Sequence, residues 1–187
     1  DSVFTIQSKL SGFITVVNDW IIWQPGEYGY WRADNIRKVF SRGLEYMVTA
    51  TINLHRVKAD LYGNYSFTRT TNATPGLDLS EGYGKQLMYI PLHKGSGILY
   101  VSAGKYRFSY GLHYTGERYT TMGNSDTHHA LEGYMLHNIS AGRTFTAWKL
   151  RGEIRVQADN LLDKDYQSIL WRPMPGRSYA VLLKLAF

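Results

Sequence analysis

Between Thr146 and Asp159 the chain separates apolar from charged residues at every second position. Trp148, Leu150, Gly152, Ile154, Val156 and Ala158 form one series, and Lys149, Arg151, Glu153, Arg155, Gln157 and Asp159 the other. A helix would spread those charges around its circumference, whereas a strand places them on one face. The same split recurs in Tyr106–Thr115, where Tyr106, Phe108, Tyr110, Leu112 and Tyr114 oppose Arg107, Ser109, Gly111, His113 and Thr115. It recurs again in Leu44–Leu54, in Asp60–Thr68, from Phe4 to Ile22 and in the final segment through Tyr179, Val181, Leu183, Leu185 and Phe187. The period predicts an all-β, antiparallel fold of about eight long meander strands. They are placed at 3–22, 37–54, 57–70, 93–103, 106–119, 131–142, 146–159 and 177–187. The strands 93–103 and 131–142 alternate poorly and are placed by position.

Several of these strands exceed the ~5–6 residues usual in soluble proteins and the ~9–11 that cross a bilayer. Short turns are expected at His55-Arg56, Gly104-Lys105 and Gly142-Arg143-Thr144. Long loops are expected at 23–36, 71–92, 120–130 and 160–176. Short turns on one side and long loops on the other mark a bacterial outer-membrane barrel. A soluble sandwich or lipocalin-like sheet alternates too, so alternation alone leaves it open.

Composition narrows the field. Aromatics make up 14% of the 187 residues and Tyr alone contributes 15, a bias shared by membrane-interface belts and binding surfaces. The +6 net charge comes from dispersed Lys and Arg, so no nucleic-acid partner is expected. There is no Cys, hence no disulfide or thiolate site, and no stretch approaches the ~20 apolar residues of a membrane helix. Asp1 opens an amphipathic segment rather than an apolar leader, which suggests a processed or partial chain. No G-x-S-x-G elbow, P-loop or H-E-x-x-H is present, so no enzyme and no cofactor are expected.

The segment Asp159-Asn160-Leu161-Leu162-Asp163-Lys164-Asp165-Tyr166, followed by Pro173-Met174-Pro175-Gly176-Arg177-Ser178-Tyr179 and a last strand ending at Phe187, resembles the close of TonB-dependent outer-membrane receptors. Asn18–Trp23, Arg42–Glu45 and Gly84–Pro91 also resemble segments of that family. The resemblance implies that 1–187 is the C-terminal portion of a 22-stranded barrel in the bacterial outer membrane, without its plug domain. The implied function is import of a scarce large nutrient, of the ferric siderophore or cobalamin class, using energy relayed by TonB. The implied partners are the remaining barrel, the plug and through it TonB, outer-membrane lipid and the barrel assembly machinery. An autonomous eight-stranded barrel, an adhesin or lipid-modifying enzyme, is the alternative.

Under that reading, ligand contacts are expected from Trp23, Tyr28, Tyr30, Trp31 and Arg32 in the first loop, His128 and His129 in the third, and Trp171 and Arg172 in the last. Aromatics offer flat apolar contact and Arg a fork for carboxylate or phosphate. Trp20, Trp23 and Trp148 also suit interface anchoring. Asp126, His128 and His129 have metal-binding chemistry but are read as a solvated loop, so no metal is expected. Lys149, Arg151, Glu153 and Arg155 are expected to line the barrel interior and pair with neighbours or a plug. Tyr179 and Phe187 resemble a terminal assembly signal. Gly176 is expected to turn with positive φ, and Arg177 to face the interior.

Overall fold

A computed structural model describes residues 3–25, 30–74, 82–124, 130–148 and 150–186. Eight strands form one antiparallel meander: β1 (Val3–Pro25), β2 (Trp31–Leu54), β3 (Val57–Asn72), β4 (His93–Ala103), β5 (Tyr106–Thr115), β6 (Tyr134–Ala147), β7 (Leu150–Asp159) and β10 (Ser178–Ala186). A small separate hairpin, β8 (Gln167–Ile169) and β9 (Arg172–Pro173), lies in the last connection. Among the described residues the sheet is open: β1 pairs with β2 alone and β10 with β7 alone. It therefore does not close as an autonomous eight-stranded barrel.

Register holds each face together. One row runs Leu183, Ile154, Arg143, Tyr106, Ala103, Val57 and Leu54; two residues along, the next runs Val181, Val156, Ala141, Phe108, Val101, Ala59, Ile52 and Phe4. The opposite face is polar and tied across strands. The Thr51 hydroxyl donates to Asp60 at 2.8 Å, the Asn64 amide to Ser96 at 2.7 Å, and Ser109 meets Ser140 at 2.7 Å. Glu153 and Arg155 pair with each other along β7 on this face, not across strands, and Lys149 lies outside the described residues. The apolar face stays bare: Ile6, Leu10 and Ile14 are 58%, 69% and 75% exposed. A soluble sheet would bury such a face against a second layer. Among the described residues no layer covers it.

Several boundaries move. The first connection is 26–30, not 23–36, because Trp23↔Ala33, Gln24↔Arg32 and Pro25↔Trp31 extend the β1–β2 hairpin. β5 stops at Thr115, where the Gly116 amide donates to His93 O at 2.8 Å. The third short turn lies at Trp148 (φ 56°), not at 142–144. Gly142 sits mid-strand opposite Arg107 and Arg155, and β6 continues until Phe145 lays its ring over its partner Gly152, the space a side chain there would need. An aromatic covering a cross-strand glycine holds the pairing that the glycine alone would weaken.

Buried side chains gather at the long-loop end. Ile36 and Val39 of β2 pack on Leu87 from the β3–β4 connection, with Val17, Ile90 and Met122 around them. Gln86 sews this connection to β3: its Oε1 accepts from the Thr70 amide at 3.0 Å and its Nε2 donates to Ile90 O at 3.1 Å. Thr70, Asn72 and Val39 are buried beneath it, so the connection folds over the polar face.

Candidate functional site

The tip of the β1–β2 hairpin and three connections meet in one cap at the long-loop end. Trp31, at the tip of the β1–β2 hairpin, has its ring 6.2 Å from that of Tyr89 in the β3–β4 connection. The Tyr89 amide donates to Tyr119 O in the β5–β6 connection at 2.8 Å. Beside Tyr119, Arg118 reaches the last connection, donating to Gln167 O at 3.0 Å and Ser168 O at 3.4 Å. The guanidinium also donates to Glu132 O at 3.4 Å and lies 5.0 Å from the centre of the Tyr134 ring.

Arg118 is 5% exposed. Burial pushes its pKa below the usual arginine value and neighbouring Tyr134 works the other way; a guanidinium keeps its proton regardless. Burial likewise raises the Tyr89 hydroxyl, which borders the Leu170 main chain and Arg118, and raises Tyr166. Tyr166 lies 4.5 Å from Tyr134, centre to centre. Between the third and fourth connections is a cleft of about 410 Å³ whose lining includes Leu131, Tyr134, Lys164, Tyr166, Leu170 and Met174. Aromatic walls beside a fixed cation suit a large ligand with flat apolar faces.

The motif from Asp159 to Tyr179 builds the floor of this cap. Asn160, 5% exposed and at φ 49°, takes the left-handed conformation that Asn tolerates. Its Oδ1 accepts from the Lys164 amide at 2.9 Å, its Nδ2 donates to Lys164 O at 2.9 Å, and its own amide donates to Asn138 Oδ1 at 2.9 Å. The Arg177 amide donates to Asp163 Oδ1 at 2.7 Å, and the guanidinium donates to Leu161 O at 3.3 Å. Arg177 thus closes the loop instead of lining the polar face. Gly176 does not take the expected positive φ. It is there for space, since a Cβ would come within 2.9 Å of Asp163 Oδ1. Asn160→Ala removes the side-chain bonds to the Lys164 amide, to Lys164 O and, at 3.5 Å, to Pro175 O from a buried site and is expected to cost about 2 kcal/mol. Urea unfolding of the assembled protein in vesicles checks this; a loss under a few tenths would show that the loop holds without Asn160.

The expected ligand residues fare unevenly. Trp31 joins the cap. Tyr30 and Trp171 are 72% and 78% exposed on hairpin tips, and Trp23, Arg32 and Arg172 are exposed as well. Tyr28, Asp126, His128 and His129 lie outside the described residues, as does Phe187; Tyr179 is exposed on the apolar face. Trp20 and Trp23 stand 17 and 20 residues along β1 from Val3. They lie toward the tip of the β1–β2 hairpin, while Trp148 sits at the short-turn end. Missed from sequence were Tyr89, Arg118, Tyr134 and Tyr166. Arg118 was hidden inside an over-long strand, and Tyr166 was visible only as part of a motif.

A family model described as TonB dependent receptor-like, beta-barrel, matches residues 4–161. No curated protein matches the chain by sequence. Two solved structures share the fold. One is BauA, the ferric preacinetobactin receptor of Acinetobacter baumannii, with TM-score 0.72, 14% identity and coverage of 97% of this chain and 27% of that one. The other is the ferric-catecholate import receptor Fiu of Escherichia coli K12 in a closed form, with TM-score 0.64, 18% identity and coverage of 95% and 24%. The chain spans about a quarter of the length of either structure.

Proposed function

Because the chain belongs to the TonB dependent receptor-like β-barrel family, we propose that it forms the C-terminal strands of an outer-membrane receptor that captures a ferric siderophore. Its bare apolar face meets lipid, its polar face meets the interior and plug, and its cap faces the cell exterior. The observation that carries this reading is the open sheet, apolar on one side, with the β1–β2 hairpin tip and three connections knitted into one aromatic cap at a single end. Unpaired edges cannot stand in lipid, so β1 and β10 pair with further strands of the same receptor. TonB-relayed energy acts on the plug, and no bond is made or broken. The siderophore class is favoured over cobalamin by the aromatic cap together with the two ferric receptors that share the fold.

The test is native mass spectrometry of the detergent-extracted particle, followed by ligand titration. The expected particle is larger than this chain and binds a ferric siderophore in preference to cobalamin. In it Trp31→Ala weakens binding roughly tenfold, the loss of one well-packed aromatic contact. A lone, folded particle at the mass of this chain, or equal binding by wild type and variant, would refute the receptor reading or the cap site respectively.

A further inference from the structure

The outer rows of β2 and β3 change character at one height. From the short-turn end β2 presents Leu54, Ile52, Ala50, Val48, Tyr46 and Leu44, then Arg42 and, beyond Phe40, Lys38. Its neighbour β3 presents Val57, Ala59, Leu61, Gly63, Tyr65 and Phe67, then Arg69. Arg42 and Arg69 are register partners, directly across from one another. Both are exposed, as is Lys38. They share the bare face, because the opposite parity at this level, Val39, Thr70 and Asn72, is buried under the β3–β4 connection.

Like charges directly opposite on a sheet destabilise it unless something neutralises them. Among the described residues the ion pairs are Lys58–Asp60, Glu153–Arg155 and Asp163–Arg177, and none reaches this patch. Glu45 and Asp60 are on the polar face. Arg42 lies over the Phe40 ring, 5.7 Å from its centre, which fixes the guanidinium without cancelling its charge. Each arginine stands twelve residues above the turn between β2 and β3. At ~3.3 Å per residue and ~45° tilt that is about 28 Å, just past a ~25 Å hydrocarbon band. That is headgroup height in the leaflet next to the long loops.

We propose that Arg42 and Arg69, flanked by Lys38, form a binding site for the phosphate groups of an outer-leaflet lipid. The fork of each guanidinium matches phosphate oxygens bidentately, and one phosphate between the two turns a repulsive pair into a bridged one. The acyl chains of the same lipid then lie along Leu44 and Phe67, register partners one step closer to the short turns, so headgroup and tail are both satisfied. A free phosphate would satisfy only the first.

The proposal rests on the orientation given above, and its test separates the two. The intact receptor is placed in nanodiscs of phosphatidylcholine carrying a minority of bisphosphorylated lipid A, or the same glycolipid without phosphates. Retained lipid is counted by native mass spectrometry, and insertion is scored separately by resistance to alkaline extraction. Wild type is expected to retain the phosphorylated lipid and not the dephosphorylated one. The Arg42→Gln, Arg69→Gln double variant is expected to lose roughly thirtyfold in retention, about five- to sixfold for each arginine near a charged surface. Inorganic phosphate is expected to compete only weakly. An inserted wild-type receptor that retains both lipids equally overturns the proposal, whatever the fate of the variant. So does full displacement by inorganic phosphate, which would make the site a simple anion site. A receptor that fails to insert refutes the membrane reading itself.

Discussion

Arg118→Met is expected to uncouple the third and fourth connections of the cap while leaving the eight-stranded sheet intact. The guanidinium donates to three carbonyls, Gln167 O, Ser168 O and Glu132 O, at 3.0 to 3.4 Å, and Tyr134 stacks on it. Methionine fills much of the volume but leaves those carbonyls without their donor in a nearly dry site. Bonds from a charged donor are worth about 1.5–3 kcal/mol each and do not add fully, so a loss of about 3 kcal/mol is the expected size. Hydrogen exchange on the assembled receptor should then show the amides near Ile169 and Leu170 opening about a hundredfold more often. The bridge between Arg118 and Leu131 is made by main-chain atoms at 2.8 and 3.0 Å and should hold. Arg118→Lys should fall between, since it keeps the charge and loses the fork. Unchanged exchange in the methionine variant would show that the connections are held by the aromatic contacts instead.

The residues that sequence period exposed and those it hid differ in what determines them. Strands β1 to β3, β5, β7 and β10 were legible because one face of the sheet is apolar and the other polar, which writes alternation into the sequence. β4 was legible only by its place between turns. Gly95 and Gly97 empty its apolar rows while Ile98 and Tyr100 sit among polar neighbours, so no period emerges, yet pairing with β3 and β5 is continuous. The turn after β6 was misplaced because Gly142-Arg143-Thr144 has turn chemistry. Nothing local says that Phe145 will cover Gly152, seven residues on across the hairpin. The β1–β2 hairpin extended past its expected end because Ile21, Trp23 and Trp31 are strong strand formers in a stretch without clean alternation. The cap was the least legible part. Its contacts join Trp31, Tyr89, Arg118 and Gln167, residues far apart in the chain, and Arg118 bonds main-chain carbonyls that carry no sequence signal. The motif Asn160–Arg177 was conspicuous in the sequence, but its reason became visible only as a knot of side chain to main-chain bonds.

Leu61→Arg is expected to destabilise the inserted receptor by about 2–4 kcal/mol, and Leu44→Arg by about 1 kcal/mol or less. Both leucines lie on the bare apolar face, at 42% and 53% exposure. They differ in depth. Leu61 is four residues above the β2–β3 turn and Leu44 ten, about 9 Å and 23 Å along the barrel axis at ~3.3 Å per residue and ~45° tilt. The first falls well inside a ~25 Å hydrocarbon band and the second at its outer edge, where a long side chain reaches water and headgroups. Tyr62→Arg, one residue from Leu61 but on the polar face, should lose little beyond the edge-on contact with Tyr100 (6.1 Å, 75°), about 1 kcal/mol. Urea titration of the receptor in vesicles gives all three values. The graded pair is the informative comparison, because a protein core has no such gradient: packed against a second layer, Leu44 and Leu61 would both bury an unpaired charge, and both arginines would cost several kcal/mol. Equal large penalties would therefore place a protein layer over this face. A penalty that fades toward the cap, and fades sooner in a thinner bilayer, would place lipid there.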